Sequence, residues 1–426
     1  MTDRELSAAH RAVLDVLDEQ WMVEELQRLI RVPSVTATDA ESELQDDIAA
    51  QLRDLGMEVD LWKLDLDELQ ADPDYPGVEA ERTEGYGVVA TTPGEGDVGF
   101  ILQGHIDVVP TGDIGQWHDV DPFSGHIVGD VMHGRGACDM KAGVVANMAV
   151  ARALAASGLK FEKRFAVHQV VSEEDGGLGA FATMKRGHTG DVCVITEPTS
   201  GRIVVANAGA LTFEIRVPGR AAHGSTRYEG VSAFEAFWPI HLALRELEGR
   251  INENPSPLYA DNPLPYGISV GKIQAGDWSS TVPDLLVAEG RLGVPLETDP
   301  AVARQQFEEA VAEACRADRW LSANPATVAW TGGQFAPGYL DVEHPLVGEM
   351  AGAIELTQQR TPDLGAAPYG SDLRLYVGVG GIPTLHYGPG DVRMAHAPRE
   401  QVPLSEMFEV ARALAVLAVD RLGGHR

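Results

Sequence analysis

The chain has 426 residues, a formal net charge of −31 and three cysteines, Cys138, Cys193 and Cys315. It is longer than one hydrophobic core usually organises, so two domains are expected. So acidic a chain excludes a nucleic-acid surface and is repelled by acidic membranes; no apolar run reaches the ~20 residues that span a bilayer, and the cysteines form neither a disulfide framework nor a zinc-finger spacing, which fits a cytoplasmic, reducing setting.

The N-terminal MTDRELSAAHRAVLDVLDEQ reads as an acidic helix and has neither the basic nor the apolar region of a secretory signal. WMVEELQRLIRV carries apolar residues at helical spacing and stops at Pro33, and ESELQDDIAAQLRDLG runs to a glycine stop. The polar, proline-bearing stretch from Asp65 to Gly85 is expected to be a loop. GYGVVATTPG, GFILQGHIDVVP, RFAVHQVVSEED and DVCVITEPT then read as buried strands, with AGVVANMAVARALAASG as a helix among them. That alternation predicts an α/β domain built on a mostly parallel sheet, with chemistry at the carboxyl ends of its strands.

The middle of the chain has another pattern. ALTFEIRVP, a long amphipathic helix, YGISVGKIQAG, TVPDLLVAEGRLGVPLE, a second helix and ATVAWTGGQF give the order βαββαβ of a ferredoxin-like α+β unit. The expected division is therefore 1–208 for the first part of a catalytic domain, 209–337 for an inserted domain and 338–426 for the return to the first.

Residues with chemical potential fall just after the apolar runs. His105 and Asp107 lie two apart on a strand and share a face, as a metal-ligating histidine and an orienting acid would; alone, the pair also reads as a loop histidine beside an unrelated acid. Asp139, in the glycine-rich HGRGACDMKAG, is placed either to bridge two metals or to cap the helix that follows. Glu173, Glu174 and Asp175 end a buried strand, where three acids are costly without a positive partner. Neighbouring side chains point apart, so one Glu would ligate and the other act as a base; the plainer reading is a solvated acidic loop. Glu197 follows another apolar strand, and His396 lies in a Gly/Pro-rich segment near the C-terminus. Together these histidines and carboxylates make a mixed nitrogen and oxygen donor set suited to two Zn²⁺, with Co²⁺ or Mn²⁺ as alternatives.

The series GHIDVVP, DPFSG, HGRGACDMKAG, VVSEEDGGLGA, ITEPT, GRAAHGS and YGPGD…AHAPRE resembles, in that order, the M20 metallopeptidase family, the group of acetylornithine deacetylase, succinyl-diaminopimelate desuccinylase, aminoacylase-1 and glutamate carboxypeptidase. The resemblance implies that His105, Glu197 and Asp139 hold one metal and Glu174, His396 and Asp139 the other. It makes Asp107 the residue that orients His105, and Glu173 the general base. It implies a cis peptide at Asp139–Met140, and a lid and dimerisation role for the inserted domain. His223 then reaches the active site of the partner in a homodimer and stabilises the oxyanion; the plain alternative is a helix-start residue after a turn. Arg291 matches a residue that binds the substrate carboxylate, against a surface strand arginine, and Gly370 and Ser371 match a segment lining the substrate pocket.

A Glu rather than an Asp at 197 leans toward the deacylase branch. Asn207–Ala208–Gly209 and Ser280 stand where desuccinylases carry residues for the succinyl carboxylate, which disfavours desuccinylation. The expected activity is removal of an acetyl-like or formyl-like group from a small N-acyl amino acid or related carboxylate. The alternatives are a metallo-carboxypeptidase or dipeptidase on the same scaffold, and a catalytically silent metal-binding member.

Overall fold

Three helices open the computed structural model, which describes residues 5–118 and 120–426; the first four residues of the N-terminal stretch and Asp119, between Trp117 and DPFSG, lie outside it. Ala8–Leu14 is followed by Glu19–Ile30, whose start is capped by the Asp18 carboxylate at the Trp21 amide. Met22, Leu26, Leu29 and Ile30 share its buried side, and the next helix begins only at Asp39, so the break expected around Pro33 is present. Asp39–Asp54 ends before Gly56, whose φ of +81° suits a glycine helix stop.

The large sheet has the order Glu58–Lys63, Tyr86–Thr91, Arg164–Val170, Val98–His105, Cys193–Ile195, Thr384–His386, Ile203–Asn207 and Gly338–Tyr339, with Leu364–Ala367 also on Ile203–Asn207. Its central strands, from Arg164–Val170 to Thr384–His386, are parallel, and antiparallel pairs lie outside them. Successive residues serve opposite faces. Leu102, Val167 and Val194 join the core that includes the helices Ala142–Ala156 and Leu404–Leu422. Ile101, Ala166 and Cys193 pack with Phe181 and Met184 of Leu178–Lys185. A sheet covered on both faces requires unbroken apolar strands, which is the pattern the sequence has there.

A second sheet is antiparallel, in the order Ile268–Ala275, Leu285–Val294, Gly209–Pro218 and Thr327–Phe335. Leu211, Phe213, Ile215 and Val217 alternate inward onto the helices Ala233–Ile251 and Pro300–Ala317 and form a separate hydrophobic core. Strand order and chain order match the βαββαβ arrangement read from the sequence. A three-stranded sheet of Gln401–Pro403, Val131–His133 and His126–Val128 brings the C-terminal segment beside the loop that carries Asp139.

Three local features depart from expectation. The stretch from Asp65 to Gly85 contains the short helix Leu66–Ala71, capped by Asp65 at the Glu68 amide. Glu58–Lys63 is an edge strand, half-buried and paired on one side, so its sequence shows no clean alternation. Ile203–Asn207 is a fully buried short strand that the surrounding glycines and alanines concealed. Among the described residues no helix is long and apolar enough to cross a membrane.

Candidate active site

The carboxyl ends of the central strands converge on one acidic cluster. His105 ends Val98–His105, Glu173 and Glu174 follow Arg164–Val170, and Glu197 follows Cys193–Ile195. His105 Nε2 lies 3.2 Å from Asp139 Oδ1, 3.8 Å from Glu197 Oε1 and 4.0 Å from Glu173 Oε2. His396 Nε2 lies 2.8 Å from Glu174 Oε2 and 3.7 Å from Asp139 Oδ2. Asp139 thus stands between the imidazoles, one oxygen toward each. His105, Glu173 and Glu197 present donor atoms within 4.8 Å of one another, and so do His105, Asp139 and Glu174.

The surrounding backbone holds this arrangement. Asp107 is fully buried; its carboxylate accepts the amides of Glu173 and Glu174, both at 3.2 Å, and the Thr36 hydroxyl at 3.0 Å. His105 Nδ1 is 2.9 Å from the Asp107 carbonyl and 3.5 Å from its carboxylate, so Asp107 fixes both the imidazole and the acidic pair. Ser172, immediately before Glu173, has φ +64°, and His396 has φ +58°; left-handed conformations at residues other than glycine are held by their surroundings at functional sites. The Asp139–Met140 peptide is cis.

Glu400 was not singled out in the sequence, although AHAPRE contains it. It is fully buried and accepts the amides of Gly136 at 3.0 Å and of Cys138 and Asp139 at 2.9 Å, while pairing with Arg135 at 2.6 Å. It therefore clamps the turn that presents Asp139.

The charges in the cluster strain one another. Burial, and next Glu197, push the Glu173 carboxyl well above the usual carboxylate range, and burial with Asp139 does the same to Glu197. Burial opposes charge on His105, yet Asp107 and Asp139 lift it well above the ordinary imidazole value. Glu174 raises His396 to about 9. Glu197 Oε1 is buried with no hydrogen-bond partner among the described residues.

A cavity of about 320 Å³ opens over the cluster and is lined also by Thr212, Arg291, Phe335, Tyr369 and Gly370. The structure thus brings Arg291 and Gly370 to the cavity, with Arg291 Nη2 donating to the Pro368 carbonyl at 2.8 Å. It does not bring Ser371 there: that side chain is buried, with its hydroxyl 3.0 Å from His386 Nε2. Nor does His223 line it; this residue is exposed, its Nδ1 2.7 Å from the Ser225 hydroxyl. Tyr369 and Phe335 were missed, the first being adjacent to the expected Gly370.

The family model for peptidase family M20/M25/M40 matches residues 101–420. The chain belongs to this family. It is accordingly a hydrolase of amide or peptide bonds. Among its relatives are an N-formyl-4-amino-5-aminomethyl-2-methylpyrimidine deformylase of Halalkalibacterium halodurans, 25% identical over 401 residues, with 88% of this chain and 87% of the relative covered. A probable carboxypeptidase of Aspergillus niger is 30% identical over 339 residues, 76% of this chain and 73% of the relative. An acetylornithine deacetylase of Aliivibrio fischeri is 26% identical over 392 residues, 89% and 93%. The fold is that of human carnosine dipeptidase 1, with a TM-score of 0.75 at 15% identity over 97% of this chain and 100% of that one. The M20 fold matches the α/β architecture expected from the sequence.

Proposed function

We propose that this M20-family chain uses two divalent metal ions, zinc foremost, to remove an acetyl-like or formyl-like group from the amine of a small carboxylate-bearing substrate. The observation that carries the reading is the cavity itself, lined by His396, Asp139, Glu173, Glu174 and Glu197 and also by Arg291. The donors fit such ions: imidazole nitrogens and carboxylate oxygens close together, a buried Glu197 oxygen without a partner, and crowded acids whose repulsion a cation relieves. His105, Asp139 and Glu197 would hold one ion, and Glu174, Asp139 and His396 the other. Bound there, the ions supply Lewis acidity toward the acyl carbonyl and toward water.

Glu173 takes the proton of the attacking water and returns it to the leaving nitrogen. Its carboxylate accepts no hydrogen bond from the described residues, while its amide is tethered to Asp107, so the group is positioned and left free to exchange protons. Arg291 orients the substrate carboxylate through a charged, two-pronged contact. Glu197 in place of Asp, and the deformylase and deacetylase relatives, support acyl removal. The Aspergillus niger relative favours a second reading, removal of a C-terminal residue from a peptide.

A panel of acetylated, formylated and succinylated amino acids, set beside dipeptides, separates these readings. Turnover of acetyl or formyl compounds is expected. Preference for dipeptides would establish the second reading, and no turnover with both metals bound would mark a silent member. Succinylated substrates are expected to be poor, because Asn207 and Ser280 offer the distal carboxylate no cation.

The proposal includes a homodimer through residues 209–337, taken as a lid domain, and a cytoplasmic setting, which suits three buried, unpaired cysteines. Tyr228, Phe234, Trp238 and Trp278 are large, exposed side chains on this unit; His223 lies near the first three in sequence and pairs with Thr281, three residues from Trp278. Exposed apolar groups in such number support a protein contact. The expected particle mass in solution is that of a dimer. The paired change Phe234→Asp and Trp238→Asp is expected to give a monomer that keeps its metals and loses activity, because His223 no longer reaches a partner. A fully active wild-type monomer would remove both the dimer and the role of His223.

A further inference from the structure

A second charged side chain faces the cavity from a segment read only as a loop. Glu79 lies between Glu58–Lys63 and Tyr86–Thr91 and lines the cavity together with Thr212 and Arg291. The segment is fastened to both sheets. The Gln334 amide donates to the Pro76 carbonyl at 2.9 Å, the Ala80 amide to Asp175 Oδ2 at 3.0 Å, and Arg82 pairs with Glu41 at 3.0 Å with both side chains buried. A Cβ on Gly77, at φ +77°, would fall 2.2 Å from the Gly332 carbonyl oxygen, and one on Gly176 would fall 2.0 Å from the Gly77 carbonyl oxygen. A Cβ on Gly332 would in turn fall 2.8 Å from Glu79 Cγ, so that glycine makes the seat in which the Glu79 side chain rests.

The carboxylate is held from the opposite wall. Thr212 donates its hydroxyl to Glu79 Oε1 at 3.0 Å, and the other oxygen takes no hydrogen bond from the described residues. Thr212 stands directly across from Arg291 in the antiparallel register, so both side chains leave the same face, with Cβ atoms about 5 Å apart. Arg291 is engaged by the Pro368 carbonyl rather than by Glu79. The cavity therefore holds a cation from the small sheet and an anion from the facing loop that do not pair with each other.

We propose that Glu79 is a specificity-determining residue that receives a protonated side-chain amine of the substrate, beside the carboxylate taken by Arg291. The inference rests on the deacylase reading and narrows it to N-acyl amino acids with a second, free amino group. Arg291 comes from the small sheet, Glu79 is tied to the same sheet through Thr212, and the acidic cluster comes from the large sheet, so the pair is assigned to the amino-acid portion and the cluster to the acyl group. Glu79 is exposed, so the discrimination comes from the charge-assisted contact that an ammonium group makes with it and a neutral side chain cannot.

The test compares kcat/KM for Nα-acetyl-L-ornithine with that for N-acetyl-L-norvaline, which has the same carbon chain without the amine. Wild-type enzyme is expected to favour the amine about tenfold or more. Glu79→Gln keeps an oxygen for Thr212 and removes the charge, and is expected to bring both substrates to a common value. A Glu79→Gln loss shared in proportion by both substrates overturns the inference. Calorimetric binding of free ornithine and norvaline is read in parallel and does not depend on turnover. A wild-type preference for ornithine that Glu79→Gln abolishes supports the contact even if neither acyl compound is hydrolysed, in which case the deacylase reading alone fails. Equal wild-type affinities overturn the inference. A Glu79-dependent preference for a dipeptide over its N-acetylated form places the cation on the acyl side and also overturns it.

Discussion

Glu173→Gln is expected to keep the fold and both metal sites and to lower kcat by about 10²–10⁴-fold, the span of general acid–base catalysis. The reason is placement. Glu174 Oε2 is 2.8 Å from His396 Nε2, a hydrogen-bond distance, whereas Glu173 Oε2 stands 4.0 Å from His105 Nε2, beyond one. The isosteric amide preserves shape and cannot carry the proton from water to the leaving amine. Glu174→Gln, by contrast, is expected to weaken one metal site and leave less than two equivalents bound. Metal analysis beside single-turnover kinetics reads both effects. If Glu173→Gln kept wild-type turnover while Glu174→Gln abolished it with metals intact, the two roles would be exchanged; full activity in both variants would end the hydrolase mechanism.

Glu400→Ala is expected to lower the stability of the protein by about 3–5 kcal/mol, as removal of one partner from a buried ion pair does. Arg135 would be left buried without its 2.6 Å partner, and the amides of Gly136, Cys138 and Asp139 would lose their acceptor. Metal affinity should fall as well, since Asp139 is presented by that turn. Glu400→Gln retains an acceptor oxygen and should lose less on both counts. Denaturant midpoints of the metal-free variants, beside metal titrations, separate the effect on folding from the effect on the site. A wild-type midpoint for Glu400→Ala would show that the clamp is redundant.

Much of this site could be read from the chain, and the reason is geometric. In a sheet covered on both faces, an apolar run that ends in His105, Glu173 or Glu197 marks the carboxyl end of a strand, and those ends meet. Asp139 and His396 were legible through their motifs rather than through local physics. What stayed hidden depends on contacts between distant segments. Glu79 sits in a polar stretch, and only Thr212 and Gly332, more than a hundred residues away, give it a role. Ser371 follows Gly370, yet its hydroxyl turns into the core toward His386 while the glycine reaches the cavity. Glu58–Lys63 was missed because an edge strand with one paired side need not alternate.

The junction between the two sheets has a further meaning. Asn207 and Gly338 are direct partners on adjacent antiparallel strands, so the chain leaves the large sheet and re-enters it at the same place. Everything between them behaves topologically as a cassette plugged into a hairpin. A short turn joining the two strands would restore a continuous ribbon, because antiparallel neighbours need only a tight connection. Such a graft adds a wall to an existing cavity without rerouting any strand beneath it. The strands that end at the acidic cluster and the sheet that carries Thr212 and Arg291 therefore have separate hydrogen-bond frameworks, and the second can be altered without changing the pairing of the first.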